Sequence, residues 1–330
     1  MIIRSEELEI AGTPVRLDLD DAPTDGVRAL LDGTVWGTRG GLRYRNFSSA
    51  WERLDAPLIL SAHGPDGAVL GALVTGWFDW GYYIASIAVA AGQQRKGLGL
   101  EMCRIAAQWG LAEVGQGTDY AALVVGDNTA ALQTAFNYGI AEQARVEALF
   151  VTRMRPTRAD GCRVMTEADR PQVLAALQAL GRGWQDADRT MVTGETHVCE
   201  RDGRIVAGAQ VVAQRMRVIS LGAGLADPVL LWGLPRMLGV RADDFRYVQL
   251  FHVWGDRAAL EPLIRHVLAD HGVRMACIQL DPMDPVYPVL RQQIPPGLVA
   301  RLTGVDSMAI FATCPIQRPM SVSPLMGSFC

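Results

Sequence analysis

Residues 87–99 read Ile-Ala-Val-Ala-Ala-Gly-Gln-Gln-Arg-Lys-Gly-Leu-Gly, and they indicate more about the architecture than any other stretch. Apolar residues up to Val89 are typical of a buried strand, and the glycine-containing loop behind it leads directly into a helical pattern. Where a helix begins, several backbone N–H groups lack partners and the helix dipole adds partial positive charge. The stretch therefore predicts a strand–loop–helix unit whose loop binds an anion such as a phosphate.

The side chains of this loop suit an anion site. Gly97 and Gly99 carry no side chain that would keep a phosphate from the backbone, while Gln94, Arg95 and Lys96 supply donors and positive charge. Lys96 is the only lysine of the chain. The Walker pattern GxxxxGK[ST] and the third glycine of a dinucleotide fingerprint are both absent, so neither of those nucleotide sites is expected. The alternative is a glycine-rich turn that only caps the helix.

Strands and helices around the loop predict a mixed α/β fold. Three strand patterns at 57–63, 68–77 and 82–89 are joined by such short turns that they must be antiparallel neighbours. The other elements expected in this half are strands within 8–19, a helix at 24–35 capped by Thr24, a short helix from Ser48 or Ser49 to Leu54, and then helix 96–112, strand 120–125, helix 128–138 and strand 147–154. Such an order places crossover helices on a twisted, mostly antiparallel sheet.

A similar order of elements returns after the linker at 155–161, which predicts a tandem architecture. The elements expected here are helices at 168–180, 227–237 and 258–269 and strands at 197–200, 205–213, 218–221, 246–253, 275–280 and 308–312. We therefore predict two domains, 1–155 and 156–315, each a mostly antiparallel sheet flanked by helices. A tail follows at 316–330, and the proline-broken stretch from Thr313 onward is expected to be loose.

Composition excludes several classes of protein. The 330 residues are 49% hydrophobic and 20% charged, as in globular proteins, and the net charge of −4 disfavours nucleic-acid binding. No apolar run approaches the ~18 residues of a membrane span, and the first residues form no signal segment, so a cytoplasmic protein with no membrane partner is expected. Six cysteines without a CxxC pair favour free buried thiols over disulfides. Without clustered ligand spacing, no metal is expected.

The spacing Gln94-x-x-Gly97-x-Gly99 behind a meander strand resembles motif A of the GNAT superfamily of N-acetyltransferases. The segment from Asn128 through Ala131 to Gly139-Ile140 similarly resembles motif B of that family. The resemblance implies that the chain binds acetyl-coenzyme A as a cosubstrate and that the pyrophosphate lies on the loop. The cofactor-binding residues implied are Ile87, Ala88, Val89, Gln94, Arg95, Lys96, Gly97, Leu98, Gly99, Leu100, Asn128 and Ala131. For Asn128, a role as a helix cap alone is the alternative.

By the same resemblance, an amine attacks the thioester directly, and a backbone N–H near Val89 polarises the thioester carbonyl. A base must accept the proton of the amine. Among Asp79, Glu52 and His63, Asp79 is the best placed, and the alternative is that Asp79 is an ordinary turn aspartate. The position of the family's usual tyrosine acid is Ala135, and Tyr138 on roughly the same helix face is a possible substitute.

The acceptor would bind at the N-terminal region, where aromatic residues and arginines cluster. The arginines could recognise a carboxylate, or the cluster could simply be packing aromatics with solvated charges. The cluster comprises Trp36, Arg39, Arg43, Tyr44, Arg45, Phe47 and Trp51. The second half lacks the glycine loop, and Asp227 at the corresponding helix start would repel a pyrophosphate. That half is therefore interpreted as a degenerate domain that buttresses the first domain and closes the acceptor cleft.

Other residues of the second half are expected to have ordinary roles. His252, His266 and His271 have no ligand spacing, and Asp281 and Asp284 occupy a turn that either meets a cationic acceptor or is solvated. The resulting hypothesis is an acetyl-coenzyme A-dependent N-acetyltransferase with an unidentified small-molecule or peptide amine as acceptor, acting as a monomer or homodimer. The alternatives are a non-catalytic acyl-coenzyme A sensor or scaffold, and an acyltransferase that uses a longer acyl chain or a hydroxyl acceptor.

Overall fold

The computed structural model describes most of the chain. The described residues are 2–10, 12–37, 41–45, 55–78, 81–114, 119–126, 128–137, 140–182, 195–221, 224–228, 231, 233, 241–295, 297, 306–320 and 322. The short helix expected between Ser48 and Leu54 lies outside these ranges, as does most of the helix expected after Asp227. None of the helices in the described part is both long and apolar enough to cross a bilayer.

The strands form one continuous, mostly antiparallel sheet, as the sequence predicts. They are Ile2–Ile10 (β1), Thr13–Asp20 (β2), Gly41–Tyr44 (β3), Asp55–His63 (β4), Val69–Phe78 (β5), Gly81–Val89 (β6), Tyr120–Val125 (β7), Ala141–Thr152 (β8), Cys162–Val164 (β9), Glu195–Arg201 (β10), Arg204–Ser220 (β11), Phe245–Gly255 (β12), Met275–Leu280 (β13) and Asp306–Ala312 (β14). Their spatial order is β1-β2-β4-β5-β6-β7-β14-β8-β13-β12-β11-β10-β9, with β3 paired to β11. The meander β4–β5–β6 is therefore confirmed.

Five α-helices belong to the described part. They are Asp25–Gly33 (α1), Leu98–Val114 (α2), Thr129–Asn137 (α3), Arg170–Ala179 (α4) and Arg257–Asp270 (α5). Three of them, α1, α3 and α5, begin at a capping side chain. Thr24 Oγ1 accepts a hydrogen bond from Val27 N at 3.3 Å, and Asp256 caps α5 in the same way through Ala259 N at 2.9 Å. Both side chains satisfy N–H groups that a helix start leaves without partners.

Helices cover the N-terminal part of the sheet on both faces. Leu98, Met102 and Trp109 of α2 pack in one core that contains Leu60 of β4. Val27 and Leu31 of α1 pack in another core that contains the adjacent Ile59. Because neighbouring strand residues point to opposite faces, the two helices lie on opposite sides of the sheet. The glycine loop consequently lies at one end of a helix that is held by a fully buried face.

The two halves of the chain share strands and a core. Strand β14, from the C-terminal end of the chain, lies between β7 and β8, and β8 also pairs with β13 of the second half. The core beneath α1 includes Tyr247 and Phe251 of β12. The domains 1–155, 156–315 and 316–330 remain a prediction, but strand pairing crosses the boundary between the first two of them.

Three expectations for the second half are wrong. The stretches 205–213 and 218–221 form a single strand, β11, because its far end pairs with β3 of the first half. The chain after Thr313 is not loose at Met320 and Val322, which are buried in the core beneath α1. Cys162 and Cys199 are joined by a disulfide, since they lie directly opposite each other on β9 and β10.

Candidate functional site

The glycine loop has the conformation that an anion site requires. Strand β6 ends at Val89, a single 3-10 turn spans Ala91–Gln93, and α2 begins at Leu98. Between them, Arg95 and Gly97 have positive φ angles of 64° and 85°. A Cβ at Gly97 would meet nothing within 4 Å, so space does not require glycine there. The requirement comes from the positive φ angle, which glycine adopts without strain. A non-glycine residue such as Arg95 in the left-handed region stores strain, which is typical of ligand-binding loops.

Free backbone donors converge at the start of α2. The first helical bond recorded there runs from Glu101 N to Gly97 O at 3.0 Å, so the N–H groups of Leu98, Gly99 and Leu100 have no partner within the helix. Among the described residues, Arg95 and Lys96 form no ion pair and are exposed, and Lys96 Nζ only contacts Gln93 Oε1 at 3.3 Å. The loop thus presents amides, two cations and a positive helix end to one region of solvent.

A gap opens between β6 and β7 beside this loop. The two strands pair in parallel only where Tyr82, Tyr83 and Ile84 face residues 120–122, and they diverge from there. Ala90 N donates to Leu70 O at 2.9 Å, so the backbone groups of Ala90 point toward β5. Successive residues of an antiparallel strand direct their N–H and C=O groups to opposite sides, so those of Val89 point toward the gap. The C=O of Val89 is bound by Gln94 Nε2 at 3.1 Å, which leaves its N–H facing the gap.

A β-bulge marks the point where the gap begins. Val74 of β5 lies opposite Ser86, and Thr75 lies opposite Ile84, so Ala85 is an extra residue on β6. The next residue, Ser86, is 8% exposed, and its buried Oγ has no hydrogen-bond partner among the described residues. An unsatisfied buried hydroxyl costs about 1–3 kcal/mol, which a bound substrate would relieve. Sequence reasoning placed Ser86 on this strand but did not single it out.

The end of β7 leads directly to the second predicted contact region. Asn128 Oδ1 accepts from Ala131 N at 3.1 Å and so caps α3. A helix cap is one of the two roles expected for this residue, and binding of the coenzyme is the other. The cap uses only the oxygen of this half-buried side chain, so the N–H donors of Nδ2 take no part in it. Both roles of Asn128 are therefore compatible, whereas the N–H of Ala131 is already used.

The remaining cofactor-loop residues are positioned by packing. Ala88 is buried in the core beneath α1, and Leu98 in the core beneath α2. Ile87 and Val89 border the second of these cores, where a Cβ on Gly99 would touch both at 3.6 Å. The structure therefore brings all the predicted loop residues to one place.

The predicted catalytic residues Asp79 and Tyr138 lie outside the described residues. Ala135, at the position of the expected acid, is 6% exposed in the core formed by α3, β7 and β14. The phenol of Tyr82 donates to Thr75 Oγ1 at 2.6 Å, and burial raises its pKa above the usual value, so it stays protonated. His63 lies on β4, two strands from the gap, with Nε2 2.9 Å from Ser61 Oγ.

Strand β3, in the region predicted to bind the acceptor, pairs with β11 of the second half. Val218 of β11 faces Leu42, and Met216 faces Tyr44, so these four side chains join the core beneath α1. Arg45 donates to Asp243 O at 2.7 Å and is therefore used in this contact. Arg39, Phe47 and Trp51 of the predicted cluster lie outside the described residues.

The acidic residues of the second half have structural roles. Asp227 accepts hydrogen bonds from Leu221 N at 3.0 Å and from the Ser220 hydroxyl, so its carboxylate is held by the end of β11. Asp281 and Asp284 are fully buried and paired with Arg318 and Arg182, respectively. A solvated turn or an acceptor site is therefore the wrong interpretation of these two carboxylates.

Comparison with known proteins agrees with this geometry. Residues 30–136, from α1 into α3, match the model of the acetyltransferase (GNAT) family. No curated protein sequence matches the chain.

Of three similar solved structures, the two with TM-scores above 0.5 share the fold at low sequence identity. N-myristoyltransferase of Saccharomyces cerevisiae with bound myristoyl-CoA has a TM-score of 0.58 at 9% identity, over 97% of this chain and 86% of that chain. The GCN5-related glucosamine N-acetyltransferase region of a fungal multi-domain GH3 β-N-acetylglucosaminidase has a TM-score of 0.56 at 14% identity, over 90% of this chain and 38% of that chain. A tandem GNAT protein from the clavulanic acid biosynthesis pathway has a TM-score of 0.49 at 13% identity, over 80% and 86% of the two chains.

Proposed function

Since residues 30–136 of this chain match the model of the acetyltransferase (GNAT) family, we propose that the protein is an acetyl-coenzyme A-dependent N-acetyltransferase. The acceptor is a small-molecule or peptide amine that attacks the thioester directly. The observation that carries the proposal is the gap between β6 and β7, which the N–H of Val89 faces, beside a loop of free amides and exposed cations.

In this proposal, the start of α2 binds the pyrophosphate. The amides of Leu98, Gly99 and Leu100 donate to its oxygens, and Arg95 and Lys96 balance its charge. Hydrogen bonds to charged groups are worth about 1.5–3 kcal/mol each, so a few of them supply most of a micromolar affinity. The pantetheine arm then enters the gap, where Asn128 Nδ2 is placed to donate to it.

Chemistry takes place where β6 bulges. The neutral amine attacks the thioester carbonyl carbon, the new C–N bond forms, and the C–S bond breaks to release coenzyme A as a thiolate. The Val89 N–H stabilises the negative charge that develops on the carbonyl oxygen. The Ser86 hydroxyl, on the same strand and without a partner, is a second group positioned to bind the reacting substrate.

Two proton transfers complete the reaction. A base takes the proton of the amine, and an acid gives a proton to the thiolate. Asp79, which lies between β5 and β6 in the sequence, is the proposed base, and Tyr138, which follows α3 in the sequence, is the proposed acid. Each assignment predicts a bell-shaped pH dependence of kcat/KM with one limb removed in D79N or Y138F.

The buried Ala135 favours one competing function, a sensor or scaffold that binds acyl-coenzyme A without turnover. An acid of this kind contributes roughly 10²–10⁴-fold to a rate, so its absence slows the reaction without preventing it. The two functions differ in one measurable respect. An enzyme releases the coenzyme A thiol faster when an amine acceptor is present, whereas a sensor does not.

Calorimetric titration with acetyl-coenzyme A tests the binding site. We expect one site per chain and an affinity that falls at least tenfold in R95A/K96A, because two charge-assisted contacts are lost. R104A is the matched control, since Arg104 is an exposed arginine of the same helix whose charge is already paired with Glu101. Absence of binding to folded wild-type protein would refute the acetyltransferase proposal.

A panel of acyl-coenzyme A thioesters tests the acyl group. Thiol release is followed with acetyl, butyryl and long-chain donors against mixtures of small amines and peptides. Preference for acetyl with an amine would support the proposal. Preference for a long chain or for an alcohol would favour an acyltransferase that uses a longer acyl chain or a hydroxyl acceptor.

A further inference from the structure

Three of the five histidines of the chain meet at one place outside the coenzyme site. His197 lies on β10, His271 lies at the C-terminal cap of α5, and His266 lies one turn earlier on that helix. The ring centroid of His197 is 5.7 Å from that of His266 and 5.6 Å from that of His271. Glu195 shares a face of β10 with His197 and completes the group.

The centre of this group is buried and has unused polar atoms. His197 is 0% exposed, and neither of its ring nitrogens has a hydrogen-bond partner among the described residues. Nε2 of His271 is likewise buried without a hydrogen-bond partner there. Leaving such atoms without a partner is costly in a folded protein, and each imidazole is able to offer a lone pair to a metal ion.

We propose that Glu195, His197 and His271 bind a divalent transition-metal ion of the Zn²⁺ class. One ligand atom from each residue lies within 4.8 Å of the others. Two nitrogens and a carboxylate oxygen form a ligand set that zinc takes in open sites, where water occupies the fourth position. Imidazole also suits Ni²⁺, Cu²⁺ and Co²⁺, whereas Mg²⁺ and Ca²⁺ prefer oxygen ligands.

The distances need little adjustment to fit such an ion. Glu195 Oε1 is 3.7 Å from His197 Nε2, and Glu195 Oε2 is 3.5 Å from His271 Nε2. Ligands about 2.0–2.1 Å from a tetrahedral ion are roughly 3.3–3.4 Å apart. Small rotations of the partly exposed Glu195 and His271 side chains would therefore bring the three ligand atoms together, while the buried His197 remains fixed.

The surroundings favour a cation and leave one side open. His271 N donates to Val267 O at the end of α5, so the site lies at the partially negative end of the helix dipole. Two neighbouring side chains already have other partners. Asp270 accepts from Arg158 at 2.6 Å, and His266 Nδ1 accepts from Ala159 N at 3.4 Å. The Glu195 side chain is 42% exposed, so the open position faces solvent.

Such an ion would join β10 to the end of α5. The ligands are separated by 74 residues of chain (197 to 271), and the helix packs its apolar face on the same sheet. An ion that binds only the folded state stabilises it by RT ln(1 + [L]/Kd). These histidines do not lie at a ligand spacing in the sequence, and the proposal differs from the sequence-based expectation of no metal.

The test uses untagged full-length protein stripped with EDTA and then dialysed. It is titrated with ZnCl₂ by calorimetry and with CoCl₂ by visible absorption, in which tetrahedral cobalt gives intense d–d bands. The variants are E195Q and H271Q, both on partly exposed side chains, so folding is preserved. E200Q is the matched control, because Glu200 lies on the same strand but pairs with Arg163 at 2.8 Å.

We expect one ion per chain, with the Kd at least tenfold weaker in E195Q and H271Q and unchanged in E200Q. Zn²⁺ should also raise the Tm of the wild type and E200Q but not of the other two. The proposal is overturned if the wild type binds neither ion, or if either ligand variant retains wild-type affinity. Binding at the free cysteines would be equal in all four proteins and so would also count against it.

Discussion

Replacement of Gly97 by alanine isolates the backbone requirement of the glycine loop. A Cβ at this position meets no atom within 4 Å, so the substitution creates no clash. The φ angle of 85° is nevertheless in the left-handed region, where an L-residue costs about 1–2 kcal/mol. The loop can escape this cost by leaving the conformation that aligns its amides, and affinity then falls with the fraction that remains competent. We expect G97A to bind acetyl-coenzyme A about 5–30-fold more weakly.

Gly92 provides the matched control within the same loop. A Cβ there also meets nothing within 4 Å, but its φ angle is not in the left-handed region. G92A should therefore bind as the wild type does, and both variants should keep the wild-type Tm within a few degrees. The assay is calorimetric titration at fixed ionic strength, supported by thermal unfolding. Wild-type affinity in folded G97A, or an equal loss in G92A, would refute the argument from backbone angle.

Further outcomes follow from buried polar groups. S86A should lower kcat about tenfold with little change in KM for acetyl-coenzyme A, because one hydrogen bond to the reacting group is lost. S61A removes another buried hydroxyl and should leave both constants unchanged. An unaffected kcat in S86A would exclude a role for the Ser86 hydroxyl. D284N should cost about 3–5 kcal/mol in urea unfolding because Arg182 keeps an unpaired charge, and R182M/D284N should lose less; equal losses would contradict the argument. Burial lowers the pKa of His252 to about 3, with a smaller contribution from Arg182. Between pH 6.5 and pH 3, therefore, His252 is protonated in the unfolded chain but not in the folded one. The free energy of unfolding falls in this range, as the pH is lowered, by up to about 1.4 kcal/mol per pH unit. H252N should reduce that slope by one proton, as followed by urea unfolding at several pH values, and an unchanged slope would show that another group is responsible.

Local elements and the cofactor loop could be predicted because their causes lie within a few residues. The turn from Gly64 to Gly67, the cap at Thr24 and the glycine pattern at 97 and 99 each satisfy a short-range requirement of the backbone. Strand β7 and strand β13 have the predicted bounds, since both are continuous apolar runs with clear turns beside them. Long-range pairing has no such local signal in the sequence. The polar residues between 213 and 218 therefore led to a prediction of two strands where the structure has the single strand β11.

Particular sites show the same division. The cap of Asn128 is a local contact and could be predicted. The unpartnered Ser86 hydroxyl depends on a bulge that only the register between β5 and β6 reveals. Cys162 and Cys199 are 37 residues apart, and their disulfide depends on strand pairing between β9 and β10.

The sequence by itself determined the strand–loop–helix unit and the mixed α/β class. These follow from hydrophobic periodicity and from glycine and proline, whose effects on the backbone are local. Only the tertiary structure decided that β14 from the chain end lies beside β7, that β3 pairs with the second half, and that Glu195, His197 and His271 meet. Such contacts are selected by burial of complementary surfaces between distant segments, and many pairings of similar strands satisfy the same apolar pattern.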